Sequence, residues 1–187
     1  LANLADAVGA DIEMVRRGIG SDPRIGYSFI YAGAGYGGSC LPKEVKGFLT
    51  LARQMDVAVP ALAQLLDSNA AHVDRAYEMV ARTGRCKVAL FGLAFKPGTD
   101  DLRDSPLVTL AERLIGRGFE LSIYDDFVEI SRLLGKNKEF IDREVPHLDQ
   151  LLAATPADAL AGAQVIVVGH ADAAVRQAIT ATAAGRR

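Results

Sequence analysis

The sequence predicts an α/β protein: an all-helical N-terminal segment over 1–83, then a parallel, doubly wound α/β domain over 84–187. Two observations carry this. Up to Thr83, apolar residues recur at helical spacing on either side of one glycine-rich stretch. From Arg85, short apolar runs alternate with helical patterns, which is the signature of a parallel sheet covered by helices.

Leu1, Leu4, Ala5 and Val8 form the first helical pattern, without a capping residue ahead of it. Gly9 ends that pattern, Asp11 is an N-cap, and Ile12, Val15 and Ile19 mark a second short helix closed by Gly18 and Gly20. The resulting helix-turn-helix outline offers only Arg16 and Arg17 to a nucleic acid, so two packing helices are expected rather than a groove reader. Residues 21–40, SDPRIGYSFIYAGAGYGGSC, then read as a long irregular segment, with Tyr27, Phe29 and Tyr31 and four glycines within 33–38. Ordered loops of this length are usually functional. Leu41, Val45, Phe48, Ala52 and Met55 mark the next helix, with Pro42 in its first turn. Pro60 opens another, whose stripe of Leu62, Leu66, Asn69, Val73, Tyr77 and Val80 continues for about five turns.

KVALFGL is the first strand, followed by the loop AFKPGTDDLRD and a helix over 106–118 with Ser105 as N-cap and Pro106 as its first residue. FELSIYDD is the second strand. QVIVVGH is the third, apolar and β-branched as a strand buried on both faces should be. The Ala-rich stretch near 153–183 reads as helix former, and a further strand is expected beyond TATAAGRR.

Composition narrows the function. Half of the 187 residues are hydrophobic and 24% are charged, a globular composition, and the net charge of −2 is shared evenly by the two halves. No basic surface for nucleic acid is therefore expected. No apolar run approaches the ~18 residues of a membrane span, and the N-terminus lacks a signal layout, so a cytoplasmic protein is expected. Cys40 and Cys86 are too few for a disulfide scaffold and lie in no metal-ligand spacing; free thiols and no metal are expected.

Cys40 is the foremost chemical candidate. It follows Gly37-Gly38-Ser39 and immediately precedes a helix, whose unpaired N–H groups favour a thiolate. Lys43 adds positive charge one turn on, and Glu44 can accept a proton from water. A lone cysteine is more often a small buried hydrophobe, but the adjoining glycine loop favours chemistry. Cys86 has no such surroundings, and His72, His147 and His170 are scattered, as expected of surface or packing residues. In GLAFKPGTDDLRDSP, Lys96, Arg103 and a helix N-terminus can gather around phosphate. This crossing lacks the GxGxxG fingerprint of an ordinary dinucleotide domain, and the plain alternative is a connecting loop with Asp100, Asp101 and Asp104 solvated. Asp125, at the end of the second strand, is a weak candidate for a ribose-binding acid.

Two segments, GYGGSCLPKEVKGF at 35–48 and FGLAFKPGTDDLRDSP at 91–106, resemble the signatures of the UDP-glucose/GDP-mannose dehydrogenase family, the nucleotide-sugar 6-dehydrogenases. DPRIG at 22–26 is also similar. RDSPLVTLAERLIGRGFELSIYD and GKNKEFIDREVPHL look most like the GDP-mannose branch, SDPRIGYSFIY like the UDP-glucose branch. The resemblance implies a Rossmann-like C-terminal domain that binds the nucleotide sugar, helices that build a homodimer, and a four-electron oxidation of a sugar C6 hydroxyl to a carboxylate with two NAD. It places the nucleophile at Cys40, which would trap the aldehyde as a thiohemiacetal and pass to a thioester. Glu44 stands where the family has Asp, in the role of assisting water. Tyr31, Ala32, Gly33, Ala34, Gly35, Tyr36 and Gly37 would lie along sugar and phosphates, with Phe95 and Lys96 also at the substrate. Arg103 would contact NAD, and Arg24 would reach the nucleotide sugar of a neighbouring subunit.

The family's GxGxxG domain, the lysine and asparagine of its central helix and its closing arginine-bearing strand have no counterpart in this sequence. The expectation is a fragment that does not turn over alone, which NADH production by the chain supplied with NAD and nucleotide sugar would contradict. The alternatives are a non-catalytic binding or dimerisation module, and a free-standing NAD-binding domain over 84–187.

Overall fold

The computed structural model describes residues 1–128 and 148–184. The candidate segment GKNKEFIDREVPH at 135–147, with His147, lies outside the described residues. The chain divides into two compact units, Leu1–Gly33 and the chain from Ala34 on.

The first unit holds α1 (Ala2–Val8) and α2 (Ile12–Gly20). Asp11 caps α2 as expected: its carboxylate accepts the backbone N–H of Glu13 at 2.8 Å. Of the apolar pattern in α1 only Ala5 is buried, and Leu1, Leu4 and Val8 are exposed. Helical spacing reports a face; it does not report what covers that face. Tyr27 packs on Gly20, where a Cβ would stand 2.5 Å from its ring. The Arg16 guanidinium pairs with Glu13 and lies 4.5 Å from the centroid of Tyr31.

The second unit holds α3 (Leu41–Gln54), α4 (Pro60–Ala63), α5 (Leu65–Ala81), β1 (Lys87–Phe91), α6 (Pro106–Gly116), β2 (Glu120–Tyr124), α7 (Leu148–Leu151), α8 (Pro156–Leu160), β3 (Val165–Val168) and α9 (Ala173–Ala184). The stripe expected to run unbroken from Pro60 is interrupted at Gln64, between α4 and α5. The Ala-rich stretch contains a strand between two helices.

Three described strands form a parallel sheet in the order β2-β1-β3, with Val88 opposite Leu121 and Val165. β1 explains its own composition. Val88 and Leu90 point to one face, into a core with Val80, Leu107, Leu110 and Leu114. Ala89 and Phe91 point to the other, against Ala159, Leu160, Ala163 and Val175. Strand alternation puts successive residues on opposite faces, so an all-apolar β1 needs helices on both sides. β3 departs from expectation. It is only half-buried, with Val168 50% exposed, because among the described residues it pairs on one edge alone. α6 begins at Ser105, whose hydroxyl accepts Leu107 N–H at 3.2 Å, and ends where Gly118 turns left-handed. α5 packs against α6, and α3 and α4 meet α5.

Candidate active site

The site grows from the crossing between β1 and α6, residues 92–105, at the carboxyl ends of the strands. An α/β sheet presents its loops for ligands there. Ser105 ties the crossing at its root: besides capping α6, its hydroxyl donates to the Leu93 carbonyl at 2.7 Å, and the side chain is wholly buried. Further out, Asp101 folds the loop on itself. Its carboxylate accepts Arg103 N–H, Nε and Nη2 at 3.1, 2.8 and 2.7 Å. The paired guanidinium, rather than burial, decides the acidity of Asp101, holding the carboxyl below its usual range, and the Arg103 pKa is raised in return. Asp101 is thus half-buried and bonded, not solvated. Asp104 is exposed, in a left-handed conformation.

The glycine loop lies on this crossing. Gly38 N–H donates to the Arg103 carbonyl at 3.1 Å. Gly37 passes so close to Asp104 that a Cβ there would stand 2.1 Å from the carbonyl oxygen, and one on Gly38 would stand 2.8 Å from the Phe95 ring. Glycine at both places is what lets the two loops touch. Gly35 faces Asn69, Val73 and Pro106, and Ala34 packs against the sheet core. Asn69 on α5 latches the loop from behind: its Oδ1 accepts Tyr36 N–H at 2.8 Å and its Nδ2 donates to the Tyr36 carbonyl at 2.9 Å. Its signal in the sequence was a lone amide in an otherwise apolar helical stripe. The Tyr36 hydroxyl is buried without a hydrogen-bond partner, and burial pushes its pKa up.

Cys40 emerges from this loop as the N-cap residue of α3, with an exposed side chain whose Sγ lies 3.7 Å from Ser39 Oγ. Ser39 also interacts with Asp101, so the thiol loop and the Arg103 loop share one polar network. Glu44 sits in the first turn of α3, its carboxylate exposed and 3.1 Å from Lys43 Nζ. Lys96 extends into solvent with its ammonium 5.3 Å from the Phe95 ring centroid. The structure therefore brings together Ala34, Gly35, Tyr36, Gly37, Cys40, Glu44, Phe95, Lys96 and Arg103 in the second unit. Arg24, Tyr31, Ala32 and Gly33 belong to the first. There, Arg24 pairs with Asp22, and Tyr31, Ala32 and Gly33 are exposed.

Asp125, the weak ribose-binding candidate, has its carboxylate turned onto the backbone of the neighbouring loops. Its side chain is only 1% exposed, and its oxygens accept Leu93, Ala94 and Phe127 N–H groups. Although desolvation alone would raise its pKa, the neighbouring His170 and these N–H groups hold the carboxyl below the usual range.

Two family profiles cover most of the sequence: UDP-glucose/GDP-mannose dehydrogenase family, central domain, over residues 1–71, and UDP-glucose/GDP-mannose dehydrogenase family, UDP binding domain, over 89–185. The chain belongs to the UDP-glucose/GDP-mannose dehydrogenase family. It is 42% identical to the GDP-mannose 6-dehydrogenase of Pseudomonas putida, an alignment that takes in 100% of this chain and 43% of that relative. Over 67% of this chain and 29% of the relative, it is 45% identical to the UDP-glucose 6-dehydrogenase of Pseudomonas aeruginosa. The crystal structure of a ternary complex of GDP-mannose dehydrogenase from Pseudomonas aeruginosa superposes with a TM-score of 0.73, at 43% identity, over 91% of this chain and 40% of that one. The chain thus spans less than half the length of these relatives. Among its described residues no helix is long and apolar enough to cross a membrane.

Proposed function

We propose that the chain supplies the thiol and the nucleotide-sugar-binding part of an NAD-dependent nucleotide-sugar 6-dehydrogenase that converts GDP-mannose to GDP-mannuronate. The observation that carries this reading is the exposed Cys40 at the start of α3, on a glycine loop bonded to the Phe95–Arg103 crossing. Likeness along the whole chain to GDP-mannose 6-dehydrogenases supports mannose over glucose.

In this reading Cys40 Sγ adds to the C6 aldehyde carbon. A C–S bond forms, the carbonyl electron pair moves to oxygen, and the result is a thiohemiacetal on the protein. Loss of hydride from C6 gives the thioester, and water then cleaves the C–S bond, releasing carboxylate and thiol. Glu44 assists that water; its exposed carboxylate can turn from Lys43 toward it. Two hydrides leave C6 in all, one as the alcohol becomes the aldehyde and one as the thiohemiacetal becomes the thioester, and NAD, when bound, would accept each of them, one molecule per hydride. The residues present fit such a cofactor at one point: Arg103, whose guanidinium Asp101 fixes by two nitrogens, suits a phosphate. Gly35 to Gly37, Phe95 and Lys96 hold the sugar nucleotide, with Lys96 as a cation for its phosphates. The functional division we infer is 1–83 as a helical segment carrying the thiol and 84–187 as the nucleotide-sugar domain.

We further infer a homodimer through the helical segment, in which Arg24 reaches the partner's substrate. Leu41, Phe48, Leu51 and Met55 lie on one side of α3 and are more than half exposed, as an interface would require. Sedimentation of the chain at micromolar concentration tests this: a dimer is expected, and a monomer contradicts it.

Alkylation tests the central residue. Iodoacetamide should label Cys40 at least ten times faster than half-buried Cys86, and GDP-mannose should slow only Cys40. Equal, slow labelling with no effect of the sugar nucleotide would favour a non-catalytic binding module.

A further inference from the structure

Three strand ends meet at one buried carboxylate that the chemistry above does not use. Gly92 follows β1, Asp125 follows β2, and His170 lies two residues beyond β3. Asp125 Oδ2 accepts Leu93 N–H at 2.7 Å and Ala94 N–H at 3.1 Å, while Oδ1 accepts Phe127 N–H at 3.0 Å. His170 Nε2 stands 3.4 Å from Oδ2, outside hydrogen-bond geometry, and its ring is 17% exposed. The ring is packed so closely on Gly92 (φ 81°) that a Cβ there would lie 2.6 Å from Nδ1.

Three backbone donors therefore converge on a group that only accepts. An amide of the same shape accepts through one oxygen only: either its NH2 faces Leu93 and Ala94, or it faces Phe127 and leaves Leu93 and Ala94 a neutral acceptor, weaker than the carboxylate. The two N–H groups held by Oδ2 belong to the residues immediately before Phe95 and Lys96. On the other side of the same stretch Ser105 holds the Leu93 carbonyl. Phe95 in turn rests against Gly38, two residues before Cys40.

We infer that Asp125 is a positioning residue, which fixes the backbone of Leu93 and Ala94 and thereby aims Phe95 and Lys96 at the nucleotide sugar. Its effect on binding rests on the reading that Phe95 and Lys96 face the substrate; its effect on the loop does not. His170 closes the carboxylate from water and so keeps its oxygens for the loop.

The test compares the chain with D125N and D125E by amide hydrogen exchange and by calorimetric titration with GDP-mannose. In D125N, exchange at Leu93, Ala94 and Phe95 should rise about tenfold or more, while Val88 to Leu90 in β1 keep their protection. Affinity for GDP-mannose should fall about tenfold. D125E, which restores an acceptor-only group, should recover part of both effects and stands in if D125N does not fold. Unchanged exchange at residues 93–95, or an equal rise throughout β1, would overturn the inference. Looser exchange with unaltered affinity would overturn the step from loop to substrate. Absence of binding by the unsubstituted chain would refute the substrate reading, and the exchange data would still decide whether Asp125 holds the loop.

Discussion

Asp101 joins two loops through one side chain, and it has a definite response to acid. Its folded pKa is lowered, so the stabilisation it gives is fully present above the unfolded value of about 3.9 and disappears as pH falls through the folded value. Acid titration should therefore loosen the Arg103 loop only below about pH 4, and D101N should remove that dependence. Fluorescence from a reporter attached near Thr99 would follow it, and a profile identical in D101N would contradict the assignment. Cys40 was legible in the sequence because a glycine run, a cysteine and a helix start are neighbours in the chain. The role of Asp101 was not legible, and the sequence left a solvated carboxylate open, since nothing local shows that a carboxylate two residues from Arg103 folds back on it. Asn69 and Asp125 act on residues 33 and 31 or 32 positions away. Such contacts exist only once the chain has folded.

At the level of the elements, two substitutions probe how the crossing and the glycine loop are held. Ser105→Ala removes both the cap of α6 and the hydroxyl bonded to Leu93, and should cost about 1–2 kcal/mol in urea denaturation. A loss near zero would mean that the crossing is held otherwise. Gly37→Ala drives a methyl into the Asp104 carbonyl, and separation of the two loops should cost about 1–3 kcal/mol and weaken nucleotide-sugar binding. Unaltered binding would show that contact between the loops is not needed. Helix positions were easy to read, burial was not. The apolar arc of α3 is wider than its covered part: Pro42, Val45, Leu49 and Ala52 are buried, whereas Leu41, Phe48 and Met55 of the expected stripe are not. Periodicity identifies the helix, and only the neighbours decide which half of an apolar arc is covered. The third strand shows the same limit, since an apolar run suits an edge position as well as a central one.

Across the molecule, one central strand organises the second unit. Leu90 is wholly buried, and Leu90→Ala should cost about 2–5 kcal/mol, displacing with it the strand ends that carry Gly92 and the crossing. The parallel sheet was legible because alternating strands and helices leave few topologies. Titration calorimetry of the 187-residue chain with GDP-mannose and with UDP-glucose tests the account most directly. The account predicts measurable binding with GDP-mannose the tighter ligand, and with affinity lost in Lys96→Ala. Tighter binding of UDP-glucose, or binding of neither, would contradict it.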